Sequence, residues 1–113
     1  MATDPAFAEN IEDLLAPLGA VSARKMFGEY GLYLDGKMIG LICDNRFLIK
    51  APADAADLVA GLSVEPPYPG ASRAYPVVPE DRWDDEDWLF DLTRRTWAAL
   101  PLPKEKKPKT RRS

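Results

Sequence analysis

Apolar positions along the chain change their spacing several times, and each change marks an element. Phe7, Ile11, Leu14, Leu15 and Leu18 recur at helical spacing and lie on one narrow face. Asp4 followed by Pro5 suits an N-cap and first-turn pair, and Glu9, Glu12 and Asp13 take the polar side. Pro17 and Gly19 close the segment, so the pattern predicts a helix from about residue 5 to 16.

The period then drops to two. "VSARKMF" reads as a short strand ending at Gly28, and "EYGLYL" and "KMIGLI" flank Asp35-Gly36, a favoured two-residue hairpin turn. A second hairpin through Asp44-Asn45 leads into "RFLIKA". Residues 21–51 are therefore expected to form a four-stranded antiparallel meander. A two-residue turn pairs Leu34 with Lys37, Tyr33 with Met38, Leu32 with Ile39 and Gly31 with Gly40, and sets Tyr30 across from Leu41. That register places Tyr30, Leu32, Ile39 and Leu41 on one face. On the other it leaves a furrow between two facing glycines, which protein is expected to fill.

"PADAADLVAGL" predicts a short middle helix over 53–60, with Pro52 in its first turn and Gly61 near its end. The stretch "SVEPPYPGASRAYPVVPEDR" holds five prolines and should be largely irregular, although "RAYPVV" could extend a sheet edge. The last element is helical: "DDEDWLFDLTRRTWAAL" starts acidic, carries Arg94 and Arg95 later, and stops at Pro101 and Pro103. Trp88, Leu89, Leu92, Thr96, Ala99 and Leu100 share one side of it, widened by Phe90 and Trp97. The fold class expected is α+β: an N-terminal helix, an antiparallel sheet of four to six strands, a short middle helix and a C-terminal helix.

Composition narrows the chemistry. With 113 residues, 46% of them apolar, residues 1–103 are expected to form one domain with one core. The single Cys43 excludes an intramolecular disulfide. No run approaches the length of a membrane span, and the N-terminus has no signal-peptide pattern, so a cytoplasmic protein is expected. The absence of histidine removes Ser-His-Asp and Cys-His systems and histidine metal sites. No catalytic residue, metal site or cofactor is assigned, and no enzymatic activity is expected.

The net charge of −3 is uneven. Lys104, Lys106, Lys107, Lys109, Arg111 and Arg112 crowd the last ten residues, leaving nine basic against seventeen acidic residues in 1–103, a net of −8. The tail is expected to be disordered and is the one candidate for nucleic-acid contact, although no aromatic residue interleaves its charges. The run Asp84, Asp85, Glu86, Asp87 fits capping and helix-dipole stabilisation better than a metal site, because consecutive helical carboxylates diverge. Gly31, Gly40, Phe90 and Trp97 are the candidate partner surface. A pocket enzyme built on Arg24, Lys25 and Lys50 with nearby carboxylates is a third, lesser reading.

"LAPLGAVSARKMFGEYGLYLDGKMIGLICDNRFLIKAP" resembles the N-terminal domain of the TfoX/Sxy proteins, bacterial regulators of natural competence. The motif residues are Arg24, Met26, Phe27, Gly28, Tyr30 and Gly31, with Gly36 in the turn and Lys50 closing the fourth strand. A weaker likeness continues through "SRAYPVVPEDRWDDEDWLFDLTRRTWAAL". The resemblance implies a layout similar to secretion-chaperone-like domains, no known catalytic activity and a regulatory role. Full-length family members carry a second, C-terminal domain absent from this sequence. The proline-rich 66–79 segment and the basic tail depart from the usual pattern.

Two functions follow as expectations. The first is a regulatory domain acting through protein partners or self-association, and the second is a nucleic-acid-associated regulator using the tail. No membrane contact or small-molecule substrate is expected. The second reading predicts that the full chain binds DNA with a steep salt dependence that a 1–103 truncation loses; no binding by either chain at low salt would remove it.

Overall fold

The architecture, taken from a computed structural model that describes residues 3–26 and 29–101, is α+β. Helix α1 (Pro5–Leu15) starts where Asp4 accepts a hydrogen bond from the Ala6 N–H. The N-cap therefore forms as the Asp-Pro pair predicts. A single 3₁₀ turn over Ala16–Leu18 ends it. Four strands follow in sequence order, each antiparallel to the last: β1 (Val21–Met26), β2 (Glu29–Leu34), β3 (Lys37–Cys43) and β4 (Arg46–Ile49).

Both hairpin turns are of the mirror-image kind that matches strand twist. Asp35 and Gly36 have φ of 47° and 86°, and Asp44 and Asn45 have 54° and 56°. A separate ribbon pairs β5 (Val64–Glu65) with β6 (Tyr75–Pro76). Its continuation meets β4 through a Leu48–Val77 bridge and a Val78 N–H bond to the Phe47 carbonyl. Helix α2 (Glu86–Ala99) closes the described chain.

The β2–β3 register departs from the simple hairpin. Leu34 pairs with Lys37 and Tyr33 with Met38, but Leu32 then faces Gly40, Gly31 faces Leu41, and Tyr30 faces Ile42. Ile39 is an extra residue on β3, a β-bulge. The expected Gly31–Gly40 pair does not exist, and Leu41 does not share a face with Tyr30. The cause is burial. Below the bulge the inward positions of β3 are Lys37 and Ile39; above it the phase reverses and Ile42 turns inward. Fully burying a side chain of that size contributes roughly 1.5–3 kcal/mol, so putting Ile42 inside outweighs one interrupted rung of the ladder.

The core lies between the inner face of the sheet and the two helices. Ala8, Ile11 and Leu15 of α1 and Leu89 and Leu92 of α2 meet Tyr30, Leu32, Leu34, Ile39, Ile42, Phe47 and Ile49. Thr93 and Thr96 are buried on α2 because each hydroxyl donates to the carbonyl four residues back, those of Leu89 and Leu92. Glu12 of α1 accepts the Ala23 N–H of the edge strand at 2.6 Å. That carboxylate satisfies an outward donor and discourages edge-to-edge pairing.

Two further expectations are corrected. The middle helix is only a 3₁₀ turn over Ala53–Ala55 followed by irregular turns. Its carbonyls are taken from outside, Leu58 by the Trp88 indole at 2.8 Å and Asp54 by Arg95 at 3.3 Å, and so short a segment nucleates poorly alone. The acidic run places Glu86 and Asp87 in the first turn of α2, as the dipole favours, but Asp85 at the N-cap makes no side-chain capping bond.

The two strand glycines differ in what a methyl group would meet. At Gly40 it would strike the Leu48 backbone carbonyl; at Gly31 it would meet the flexible ends of Met26 and Met38 at 2.7 and 3.1 Å and the Tyr33 ring at 3.2 Å. Chemical denaturation should therefore show Gly40→Ala destabilising by about 2–3 kcal/mol and Gly31→Ala by about 1 kcal/mol or less.

Candidate functional site

The outer face of the sheet carries the side chains that alternate away from the core. Met26 of β1, Met38, Leu41 and Cys43 of β3, and Lys50 just past β4 form a floor. The proline-rich segment folds over part of it, and Pro67, Tyr68, Ala71, Ser72, Arg73 and Tyr75 make the facing wall. Together with Glu29 these residues enclose a cleft of about 630 Å³, within the size range of small-ligand sites.

Arg46 holds the wall in place. Its guanidinium donates to Glu65 at 2.8 Å, to the Pro66 and Pro67 carbonyls at 3.1 and 2.9 Å, and to the Cys43 carbonyl at 3.3 Å. A planar fork of donors can satisfy several acceptors at once where a lysine could not. Leu48, which pairs with outer-face Leu41, is fully buried, and Val77 bridges to it along the free edge of β4.

The cleft is polar at both ends and apolar between them. At one end Glu29 accepts the backbone N–H groups of Thr3 and Asp44, each at 3.0 Å, so its carboxylate is already occupied. Beside it, burial first and the Glu29 charge second push the Cys43 thiol above its ordinary pKa, with Asp44 adding to the shift and Arg46 opposing it. At neutral pH Cys43 is a thiol, not a nucleophilic thiolate. At the other end stands Lys50, its ammonium 3.8 Å from the Met38 sulfur. Burial, and then the positive charge of Arg73, lower its pKa. Among the described residues neither Lys50 nor Arg73 has a carboxylate at salt-bridge distance.

The residues singled out in the sequence divide between this face and the core. Met26 and Lys50 line the cleft. Arg24 lies outside it on the same face, stacked 4.7 Å above the Tyr33 ring, and Lys25 does not line it. Gly31 is covered by Met26, Met38 and Tyr33, and Gly40 is pressed against the Leu48 backbone, so protein fills the space at both glycines. Tyr30 is a core residue, and Gly36 makes the turn.

Phe90 packs half-buried against the core with Arg94 above its ring at 5.9 Å. Trp97 is a clasp: its indole donates to the Leu34 carbonyl at 2.9 Å, while Lys37 sits 3.8 Å over its ring and donates to its carbonyl at 2.9 Å. The ammonium thereby neutralises the carbonyl end of α2. Phe27, Gly28 and the basic residues from Lys104 to Arg112 lie outside the described residues.

Sequence reasoning missed Arg46, Arg73, Tyr68 and Tyr75. One signal was available, since a long irregular segment inside a small domain usually has a function.

Glu65 links the wall to pH. The Ser63 hydroxyl, donating at 2.7 Å, and then Arg46 hold its carboxyl below the ordinary 4.5. A depressed carboxyl adds stability that is full above its ordinary value and lost as pH falls through the lowered one. Amide signals of residues 65–75 should shift on acidification below that range, and Glu65→Gln should abolish this step. Arg46→Gln should loosen the same segment at neutral pH, costing about 1–2 kcal/mol in global stability.

Comparison with known proteins agrees with this architecture. The family model of the TfoX N-terminal domain matches residues 13–100, which spans the sheet, the cleft and α2. The chain is also 42% identical over 112 residues to an uncharacterized 12.7 kDa protein encoded in the trpE 5′ region of Spirochaeta aurantia, covering 98% of this chain and 95% of that protein. Helices, sheet and motif residues thus lead to one assignment: the chain belongs to the TfoX N-terminal domain family.

Proposed function

We propose that this competence-regulator-like domain is non-enzymatic and acts through protein–protein contacts made by its outer sheet face and the segment folded over it. One observation carries the reading. Among the described residues the two large apolar side chains left most exposed, Val64 at 61% and Tyr68 at 59%, both belong to that segment. Exposed apolar groups four residues apart on one segment of a small domain favour partner contact over solvent. A tyrosine at such a position offers a rigid, amphipathic anchor at low entropic cost.

The helical side is less suited to the role. Trp97 and Trp88 both spend their indole N–H groups on internal carbonyls, and Trp83 packs against Phe7 with ring centroids 5.5 Å apart. These aromatic groups serve the fold. The chemistry around the cleft also favours binding over reaction, because its only sulfur nucleophile is held protonated and its carboxylate is bound by backbone donors.

Site-specific photo-crosslinking in cells tests the reading. A crosslinker at position 68 should yield a discrete adduct with another protein, and one at exposed Ala98 of α2 should not. Equal adducts from both positions, or none from position 68, would overturn it.

A further inference from the structure

We infer that the outer-face cleft binds a small amphiphilic anion, its apolar body on Met26, Met38 and Leu41 and its charged head at Lys50 and Arg73. This goes beyond the protein-contact reading and needs no partner protein. It rests on the way charge and apolar surface are distributed over the molecule.

Residues 1–103 carry only nine cations against seventeen anions, so where each cation is placed is informative. Most of the nine are engaged. Lys37 caps α2, Arg46 pins the proline-rich segment, and Arg82 and Arg95 pair with Asp85 and Asp91. Arg24 and Arg94 lie over Tyr33 and Phe90. Lys50 and Arg73 are the two that line the cleft: neither has a carboxylate at salt-bridge distance among the described residues, and the Arg73 charge adds to burial in lowering the Lys50 pKa. Two like charges at the edge of an apolar cleft are relieved by an anion that both can reach.

The remaining surface sets the ligand's body. Between Lys50 and Cys43 the floor is formed by two methionines and a leucine, and the wall adds Tyr75, Ala71 and Pro67. Methionine adapts to varied apolar shapes, which suits an alkyl or aryl group better than a polar ligand. The far end presents a neutral thiol and a carboxylate already satisfied by two N–H donors, so a second anionic head would be disfavoured there. The site is therefore directional, with the head at Lys50 and the tail toward Cys43. An inorganic anion alone would leave the apolar floor unused, and a polyanion would meet the acidic body.

Titration calorimetry with decanoate, decyl phosphate, decan-1-ol and decylammonium, each below its aggregation limit, tests the assignment. Methyl-labelled methionine supplies the location, because two of the three methionines line the cleft. The expected result is saturable binding of either anion, with shifts in the Met26 and Met38 methyl signals, and binding of the alcohol and the ammonium at least about tenfold weaker. Arg73→Gln alters an exposed side chain and should leave the fold intact. It should weaken anion binding by about tenfold, and Lys50→Met should do the same. Comparable affinity for alcohol, ammonium and anion would overturn the proposal, as would no binding or anion binding that ignores both substitutions.

Discussion

The bulge at Ile39 is the constraint on which both faces of this protein depend. A strand of strict period two through β3 would give the core Lys37, Ile39, Leu41 and Cys43 and would turn Ile42 outward. One extra residue reverses the phase halfway. Ile39 and Ile42 then both enter the core, while Met38, Leu41 and Cys43 gather outside. The same local event completes the interior and lays the floor of the cleft. Gly40 permits it, since the Leu48 carbonyl of the neighbouring strand occupies the space a β-carbon would need.

Around that constraint the molecule uses its few cations as fasteners. Lys37 joins the first hairpin turn to the end of α2 through the Trp97 carbonyl and ring. Arg46 joins the second hairpin to the proline-rich segment, and Arg95 joins α2 to the turn after β4 through the Asp54 carbonyl and Asp57. In an acidic body these contacts are favourable at long range as well as at contact. The arrangement also explains why irregular segments can be held against the sheet with little regular structure of their own.

Much of the fold could be read from pattern because local chemistry and burial agree. Asp4-Pro5 caps α1, Asp35-Gly36 and Asp44-Asn45 make their turns, and the 3.6-residue period of α2 survives. The register of β2 against β3 could not be read, because the turn dictates its first two pairs only. After Tyr33–Met38 the competition between Ile42 and Leu41 for the interior decides, and that depends on helices distant in sequence. The short middle helix failed for the same kind of reason, its carbonyls being claimed by Trp88 and Arg95 of α2. Within the cleft Met26 and Lys50 were visible as motif residues. Arg73, Tyr68 and Tyr75 were not, since nothing local in a proline-rich stretch says which surface it will cover.

The motif itself is sharpened by this division. Tyr30 faces the core and Gly31 the outer side; Met26 and Lys50 flank the cleft from opposite sides of the sheet, brought together only by the meander. A purely structural motif would be expected to concentrate on the buried face, where substitution costs most. Here several of its positions lie on the outer face, where packing alone demands less of them. Gly31 is informative in this respect: its missing side chain lets Met26 and Met38 settle low on the sheet, and a lower floor makes a deeper cleft. The stretch that specifies the hairpin therefore also shapes the surface opposite the core, and a change there can reshape the cleft without unfolding the domain.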